Sequence, residues 1–268
     1  MGNSYKLGVI GAGYMATSII KGCINSGALN SSEIIVSDIN INFLNKFSDI
    51  GITTTQDNLF LANSCEFVLF AVKPQNVGEV INQIKGCSCN KFISIMAGVK
   101  KQKIKDVLGS VSVARCMPNA PCAVGNGAVG IDLRDFDNQN DISFIKSIFS
   151  SISTVIVVEE EKLNAVTGIS GSAPAYFYLF AKGLIDAGIK NGLTEEQSKN
   201  FVVNTMIGSG KMLLENNDKS IQQLIDSVCS KGGTTIEAIK IYLENDITGI
   251  TDKAVDRCIK RSYELENV

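Results

Sequence analysis

The feature that most restricts the fold is a change of rhythm near residue 160. Up to that point, apolar runs of four to seven residues alternate with stretches of helical period. The predicted strands cover 6–10, 34–37, 67–72, 92–96, 111–116 and 155–158, with weaker ones near Ile52 and Val129. Such alternation is the signature of βαβ units, and therefore of an α/β fold built on a doubly wound, mostly parallel sheet. After Glu159 every segment reads as helix: 176–190, 195–214, 221–228, 235–243 and 251–264. Thr194 with Gln197 forms a capping box, and Gly192 marks the preceding stop. The expected organisation is a sheet domain over 1–160 followed by an all-α carboxyl-terminal domain over 161–268.

The first strand runs directly into G-A-G-Y-M-A at 11–16, which opens a helix continuing through Ile19, Ile20 and Cys23. Gly11 permits a tight turn, Gly13 lets the backbone approach a pyrophosphate, and Ala16 is small enough for close helix–strand packing. The free N–H groups at the helix start favour an anion. This predicts a Rossmann-like dinucleotide-binding domain. Asp38, at the end of the second strand and 22 residues after Ala16, can accept hydrogen bonds from the adenosine ribose hydroxyls and would repel a 2′-phosphate; the alternative is a cap on the next helix. No Arg or Lys follows until Lys46, so NADH is expected to be preferred over NADPH. The fourth strand ends in A-V-K-P-Q (71–75), where Pro74 suits a first helical turn and Lys73 could reach a cofactor phosphate or ribose, or simply lie on the surface. I-M-A-G (95–98) offers small residues to a flat ring, and R-C-M-P-N-A-P (115–121) forms a rigid loop over the same cleft.

Composition narrows the chemistry. The 268 residues include no histidine, which excludes a Ser-His-Asp triad, a Cys-His pair, His-ligated zinc and imidazole acid/base catalysis. With 25 basic against 27 acidic residues the formal net charge is −2, so no nucleic-acid partner is expected. Eight scattered cysteines show no zinc-like spacing and read as small buried hydrophobes in a reducing cytosol; Cys87 and Cys89 lack partners for a metal, and no metal site is predicted. Lys6 spoils the myristoylation pattern that Gly2 begins, and no signal-peptide apolar region precedes the first strand, so a cytoplasmic location is expected. The uncharged stretch 163–181 contains Asn164, Thr167, Ser170, Ser172 and Pro174, and reads as a buried helix rather than a membrane span.

In the helical part, S-K-G-G-T-T at 230–235 stands immediately before a helix. Its glycines, free N–H groups and threonine hydroxyls make an anion nest suited to a small carboxylate, with Lys231 adding charge; a plain helix cap is the alternative. T-G-I-S-G-S-A-P-A-Y (167–176) is a second small-residue turn, facing a nicotinamide cleft or merely allowing close packing. Apolar residues lie on more than one face of the first two long helices (Phe177, Leu179, Phe180, Leu184, Ile185; Phe201, Val202, Val203, Met206, Ile207). A homodimer through this domain would bury them, unless an ordinary monomeric core does so.

Taken in order and spacing, G-A-G-Y-M-A, A-V-K-P-Q, R-C-M-P-N-A-P, S-G-S-A-P-A-Y and V-C-S-K-G-G-T-T-I-E-A resemble the pyrroline-5-carboxylate reductase family across nearly the whole chain. The resemblance implies hydride transfer from NADPH or NADH to the C=N carbon of 1-pyrroline-5-carboxylate, giving L-proline, the last step of proline biosynthesis. It places Ile10, Gly11, Ala12, Gly13, Tyr14 and Met15 at the pyrophosphate; Asn58, Ala71, Val72, Lys73 and Pro74 at the ribose and nicotinamide half; and Ile95, Met96 and Ala97 beside the nicotinamide. Ser230, Gly233, Thr234 and Thr235 would bind the substrate, with Thr235 the hydroxyl nearest the ring nitrogen and the expected catalytic residue. It also implies an interleaved helical homodimer, often assembled into a decamer. Two positions depart from the pattern: members commonly have Pro where this chain has Lys231, and many NADPH-using members have a neutral residue where it has Asp38.

The inventory suits this reaction, because a protonated cyclic imine is already electrophilic and needs chiefly alignment. A β-hydroxyacid dehydrogenase is the alternative enzyme, sharing the domain order and a glycine-spaced helix opening at Gly168, Gly171 and Ala173, but the position of its lysine holds Phe177. A non-catalytic dinucleotide-sensing protein is a third reading, and it leaves the S-K-G-G-T-T turn without a purpose.

Overall fold

A computed structural model describes residues 4–266 of the chain, so Gly2 lies outside the described residues. The chain forms two compact units, Met1–Ser172 joined by Cys258–Val268, and Ala173–Arg257.

The sheet of the first unit has eight strands: β1 (Tyr5–Ile10), β2 (Ile34–Ser37), β3 (Thr53–Thr55), β4 (Cys65–Phe70), β5 (Lys91–Ser94), β6 (Ser112–Met117), β7 (Gly127–Asp132) and β8 (Ser153–Val157). Their spatial order is β3-β2-β1-β4-β5-β6-β7-β8, parallel throughout except where β7 runs antiparallel to β6. The helices between them are α1 (Tyr14–Asn25), α2 (Ile41–Ser48), α3 (Asn58–Ser64), α4 (Val77–Gln83), α5 (Lys101–Leu108) and α6 (Gln139–Ser150). Strands covered on both faces must be apolar on both faces, and β4 shows this clearly. Phe67 and Leu69 join the cluster containing Ile19, Ile20 and Phe149, while Val68 and Phe70 join the one containing Ile81, Ile84 and Phe92. The predicted doubly wound sheet is therefore present. β4 and β5 end two residues earlier than expected, because the chain leaves the ladder once Ala71 N–H has bonded the Ile10 carbonyl (2.8 Å) and Ile95 N–H the Phe70 carbonyl (3.2 Å).

Beyond β8 every described element is helical: α7 (Leu163–Val166) running into a π-helical turn, α8 (Ala173–Lys190), α9 (Glu195–Glu215), α10 (Ile221–Val228), α11 (Thr234–Glu244) and α12 (Ile247–Glu266). The expected capping box is formed, Thr194 Oγ1 accepting from Gln197 N–H and Gln197 Oε1 from Thr194 N–H. Ser220 and Gln223 make a second at α10. Five of the eight cysteines are buried and three half-buried, and all eight are unpaired. Burial pushes the thiols of Cys23 and Cys65 up to about 12 and that of Cys89 to about 11, so they behave as inert hydrophobes.

One polar network inside the first unit was not anticipated. Arg115 sits in β6 opposite Asp132 of β7 and is 1% exposed. Its guanidinium donates to Glu160 (3.2 Å) and to Glu266 Oε1 near the end of α12 (3.1 Å), which also accepts from Asn164 (2.9 Å). Asp132, fully buried, accepts from Lys101 Nζ (2.8 Å), Arg134 Nε (2.6 Å) and Glu160 N–H (2.6 Å). For both carboxyls burial alone would raise the pKa, but the donors around them outweigh it and hold Asp132 and Glu266 below the ordinary range. A depressed carboxyl stabilises the fold above its unfolded pKa and loses that contribution as pH falls through the folded value. Stability is thus expected to decline below about pH 4. Arg115→Met leaves the buried Glu266 carboxylate with only Asn164 and the Lys100 ammonium (3.2 Å) as partners, and should cost on the order of 3 kcal/mol in urea unfolding at pH 7. In Glu266→Gln the acid-side decline should be shallower; an unaltered pH profile would remove Glu266 from the network's energetics.

Candidate active site

In a doubly wound sheet the ligand crevice opens where the strand order reverses, here between β1 and β4. Gly11, immediately after β1, has φ +102°, and a Cβ placed on it would lie 2.7 Å from the Ala71 carbonyl oxygen and 3.0 Å from Val72. No other residue type fits that turn. Gly13, the N-cap of α1, has nothing within 4 Å of where a Cβ would stand, and the helix start carries no side-chain cap. Its N–H groups therefore front open space, a cradle that fits the pyrophosphate of a dinucleotide.

Asp38 is not the cap of the next helix. That role belongs to Asn40, whose side chain accepts from Asn42 N–H at 3.0 Å. Asp38 Oδ2 accepts from Ala12 N–H and Oδ1 from Asn40 N–H, both at 2.8 Å, so each carboxylate oxygen keeps a lone pair for a further donor. Ser37 Oγ donates to Asn58 Oδ1 and Asn58 Nδ2 to Gln83 Oε1, both at 2.6 Å. These groups line a cavity of about 360 Å³ that brings together Ile10, Gly11, Gly13, Asp38, Asn58, Ala71, Val72 and the exposed Lys73. Ile39 (82% exposed) and Phe43 (48% exposed) add an apolar wall that sequence reasoning missed, as it missed Gln83 and Glu79. Phe43 carried a weak signal, since an apolar residue in an amphipathic helix reads as core, and Ile39, in the turn before α2, belongs to no periodic pattern.

The other expected cofactor residues lie outside this cavity's walls. Ala12 is buried with its N–H taken by Asp38. Tyr14 is 69% exposed and lines a separate hollow of about 570 Å³ along α1, whose walls include none of the carboxyl ends of β1, β2 or β4. Pro74 opens a short 3₁₀ turn, as expected for a first helical position. Ile95 and Ala97 are half-buried and Met96 is buried beyond the end of β5. Of the expected 115–121 loop, residues 115–117 are the end of β6, and the turn that follows is pinned by Asn119, whose Oδ1 accepts from Ala128 N–H (3.0 Å) and whose Nδ2 donates to Ser170 Oγ (3.2 Å). Gly171 lies against Met117, with the site of a Cβ 3.4 Å from its sulfur, so the small residues of the π turn do permit close packing.

In the second unit Gly233 is the N-cap of α11, without a side-chain cap bond, and its N–H donates to the Ser230 carbonyl at 2.9 Å. A Cβ at 233 would collide with the Ser230 hydroxyl at 2.3 Å. Ser230, Lys231, Thr234 and Thr235 are exposed, so the turn presents hydroxyls and free N–H groups to solvent as an anion nest does.

Known proteins match this arrangement across its length. Residues 160–265 match the family described as pyrroline-5-carboxylate reductase dimerisation, and residues 6–98 the one described as NADP oxidoreductase coenzyme F420-dependent. The pyrroline-5-carboxylate reductase of Pisum sativum is 35% identical over 99% of this chain and 97% of its own. The chain belongs to the pyrroline-5-carboxylate reductase family. The Haemophilus influenzae reductase is 34% identical over 97% of both chains. The solved Plasmodium falciparum reductase with NADP bound superposes with a TM-score of 0.88 at 32% identity, covering 99% of this chain and all of that one. The Coxiella burnetii reductase gives 0.89 at 32%, covering 98% and 99%. The β-hydroxyacid dehydrogenase and sensor readings are therefore set aside.

Because a side chain at Gly11 must both adopt a disfavoured φ and displace the Ala71 backbone, Gly11→Ala should weaken NADH binding at least tenfold and lower thermal stability by roughly 1 to 3 kcal/mol. Fluorescence titration and thermal melting measure the two effects; wild-type affinity would show that the turn is not the cradle.

Proposed function

We infer that this protein reduces the C=N bond of 1-pyrroline-5-carboxylate to L-proline with NADPH or NADH. The observation that carries the reading is family membership over nearly the full chain, with the glycine cradle and the Ser230 to Thr235 turn both present. The bound nicotinamide supplies the hydride. The chain's own groups bind and orient. Gly13 and the N–H groups at the start of α1 hold the pyrophosphate, Asp38 and Asn58 meet ribose hydroxyls, and Ile39 and Phe43 offer an apolar surface to the adenine. Lys73, Ile95, Met96 and Ala97 serve the nicotinamide half.

Gly233, Thr234 and the start of α11 take the substrate carboxylate, while the Thr235 hydroxyl orients the imine nitrogen and relays its proton from solvent. The Asp38 carboxylate favours NADH, since a 2′-phosphate would meet a negative charge.

The helical domain joins two protomers. Phe177 (59%), Leu179 (73%) and Phe201 (66%) stand in solvent, and both clusters of buried apolar residues belong to the sheet unit, so the second unit has no core of its own to receive them. A second copy covers such a face most economically. Among the described residues no helix is long and apolar enough to cross a membrane, and eight unpaired cysteines support a cytoplasmic setting.

Oxidation of NADH and NADPH should be followed with pyrroline-5-carboxylate and with its six-membered homologue. The five-membered imine should turn over faster and NADH should give the higher kcat/KM; no turnover of either imine refutes the reaction, and a higher value for NADPH refutes the preference. Thr235→Ala should lower kcat/KM roughly 10- to 1000-fold. Light scattering should report at least a dimer, and would also read out a decamer. A monomer at micromolar concentration would refute the helical interface.

A further inference from the structure

The two consecutive peptides that lead into the dinucleotide cradle are each held by a group from outside the loop. Asp38 accepts the N–H of Ala12, and Lys46 of α2 donates from Nζ to the Ala12 carbonyl at 2.8 Å. That carbonyl receives no other hydrogen bond among the described residues. We propose that Lys46 is a positioning residue for the dinucleotide, fixing the Ala12 carbonyl so that the Gly13 N–H faces the pyrophosphate.

The argument is geometric and rests on the dinucleotide reading above. Among the described residues no peptide bond is cis. In a trans peptide the carbonyl of one residue and the N–H of the next point in opposite directions. An ammonium drawing the Ala12 oxygen toward α2 therefore turns the Gly13 N–H the opposite way. Gly13 lines the cavity at the crevice and has open space beside it. Left alone, this peptide has unusual freedom to flip, because a flip turns φ of the residue that follows Ala12, and that residue is glycine. The Asp38 bond fixes the preceding peptide, and the Lys46 bond fixes this one.

Lys46 is itself placed. Its ammonium lies 5.0 Å from the ring centre of Phe47, which is 1% exposed, and 5.6 Å from that of Phe43. A cation on the carbonyl also polarises the peptide, making its N–H a stronger donor to an anion. Lys46 is not among the residues lining the cavity, so it acts through the loop rather than on the cofactor.

The test compares Lys46→Met, Lys46→Gln and Lys46→Arg in the full-length protein by fluorescence titration with NADH, and by competition with adenosine, which lacks the pyrophosphate. Lys46→Met should weaken NADH roughly tenfold, the loss expected for one charge-assisted hydrogen bond. Its adenosine affinity should stay within about twofold of wild type, and kcat at saturating NADH and KM for the imine should also hold. Gln and Arg can both donate to the same carbonyl, and should recover affinity to within about threefold of wild type. NADH affinity unchanged in Lys46→Met overturns the proposal. So does an equal loss for adenosine, or failure of both donor variants to rescue. Wild-type protein that binds no dinucleotide at all would instead overturn the cofactor reading on which the proposal stands.

Discussion

Between β1 and β4 the order of the sheet reverses, and two backbones come closer there than any side chain allows. Gly11 lies against the carbonyl of Ala71, and the same pair of strand ends is tied by the Ala71 N–H to the Ile10 carbonyl at 2.8 Å. From this contact the rest of the crevice follows. β1 ends in a turn instead of continuing, α1 starts with its N–H groups uncapped, and Val72 and Lys73 are carried to the cavity's wall. A larger residue at 11 would part the strand ends and remove the surface on which a phosphate could rest. The chemistry of the first unit is therefore mostly backbone chemistry, which is consistent with a chain that carries no histidine.

The two units solve opposite packing problems. In the first, helices on both faces of the sheet bury every residue of strand C-E-F-V-L-F except Glu66, and the interior tolerates Arg115 and Asp132 because charged and polar partners surround them. In the second, α8 has one buried residue, Ala173, and α9 one, Ser198, while large apolar side chains face outward. A helix that is apolar on several faces needs more surface than its own neighbours provide. Association thus follows from the same hydrophobic accounting that makes the sheet unit self-sufficient.

Much of this was legible in the sequence because it depends on local rules. The strand–helix alternation, the glycine turn after β1, the Thr194 and Gln197 box and the helix after S-K-G-G-T-T are all set by residues within a few positions of one another. What escaped was long-range. Nothing near Lys46 in the chain shows that its ammonium reaches Ala12, 34 residues earlier, and nothing near Glu266 shows that it meets Arg115, 151 residues away. The strand ends of β4 and β5 were overextended for a related reason: apolar residues continue past the last ladder bond, and hydropathy cannot distinguish a buried loop from a buried strand. Phe43 was missed because an exposed apolar wall and a core face have the same spacing along a helix, and Ile39 because it stands in the turn before α2, outside any periodic pattern.

Asp38 shows how closely selection and scaffolding are joined at this site. Its carboxylate lines the crevice, where the proposed function has it read a ribose hydroxyl, and it also satisfies the N–H of Ala12, a residue with no exposed surface. An unpaired buried N–H costs about 1 to 3 kcal/mol, and that cost falls on the loop whichever dinucleotide is bound. Under the proposed function, removing the charge to admit a 2′-phosphate would therefore also slacken the cradle that both cofactors would share. A neutral residue can serve at this position only if it still offers an acceptor to Ala12, which makes cofactor preference a property of the loop and its two supports rather than of one side chain.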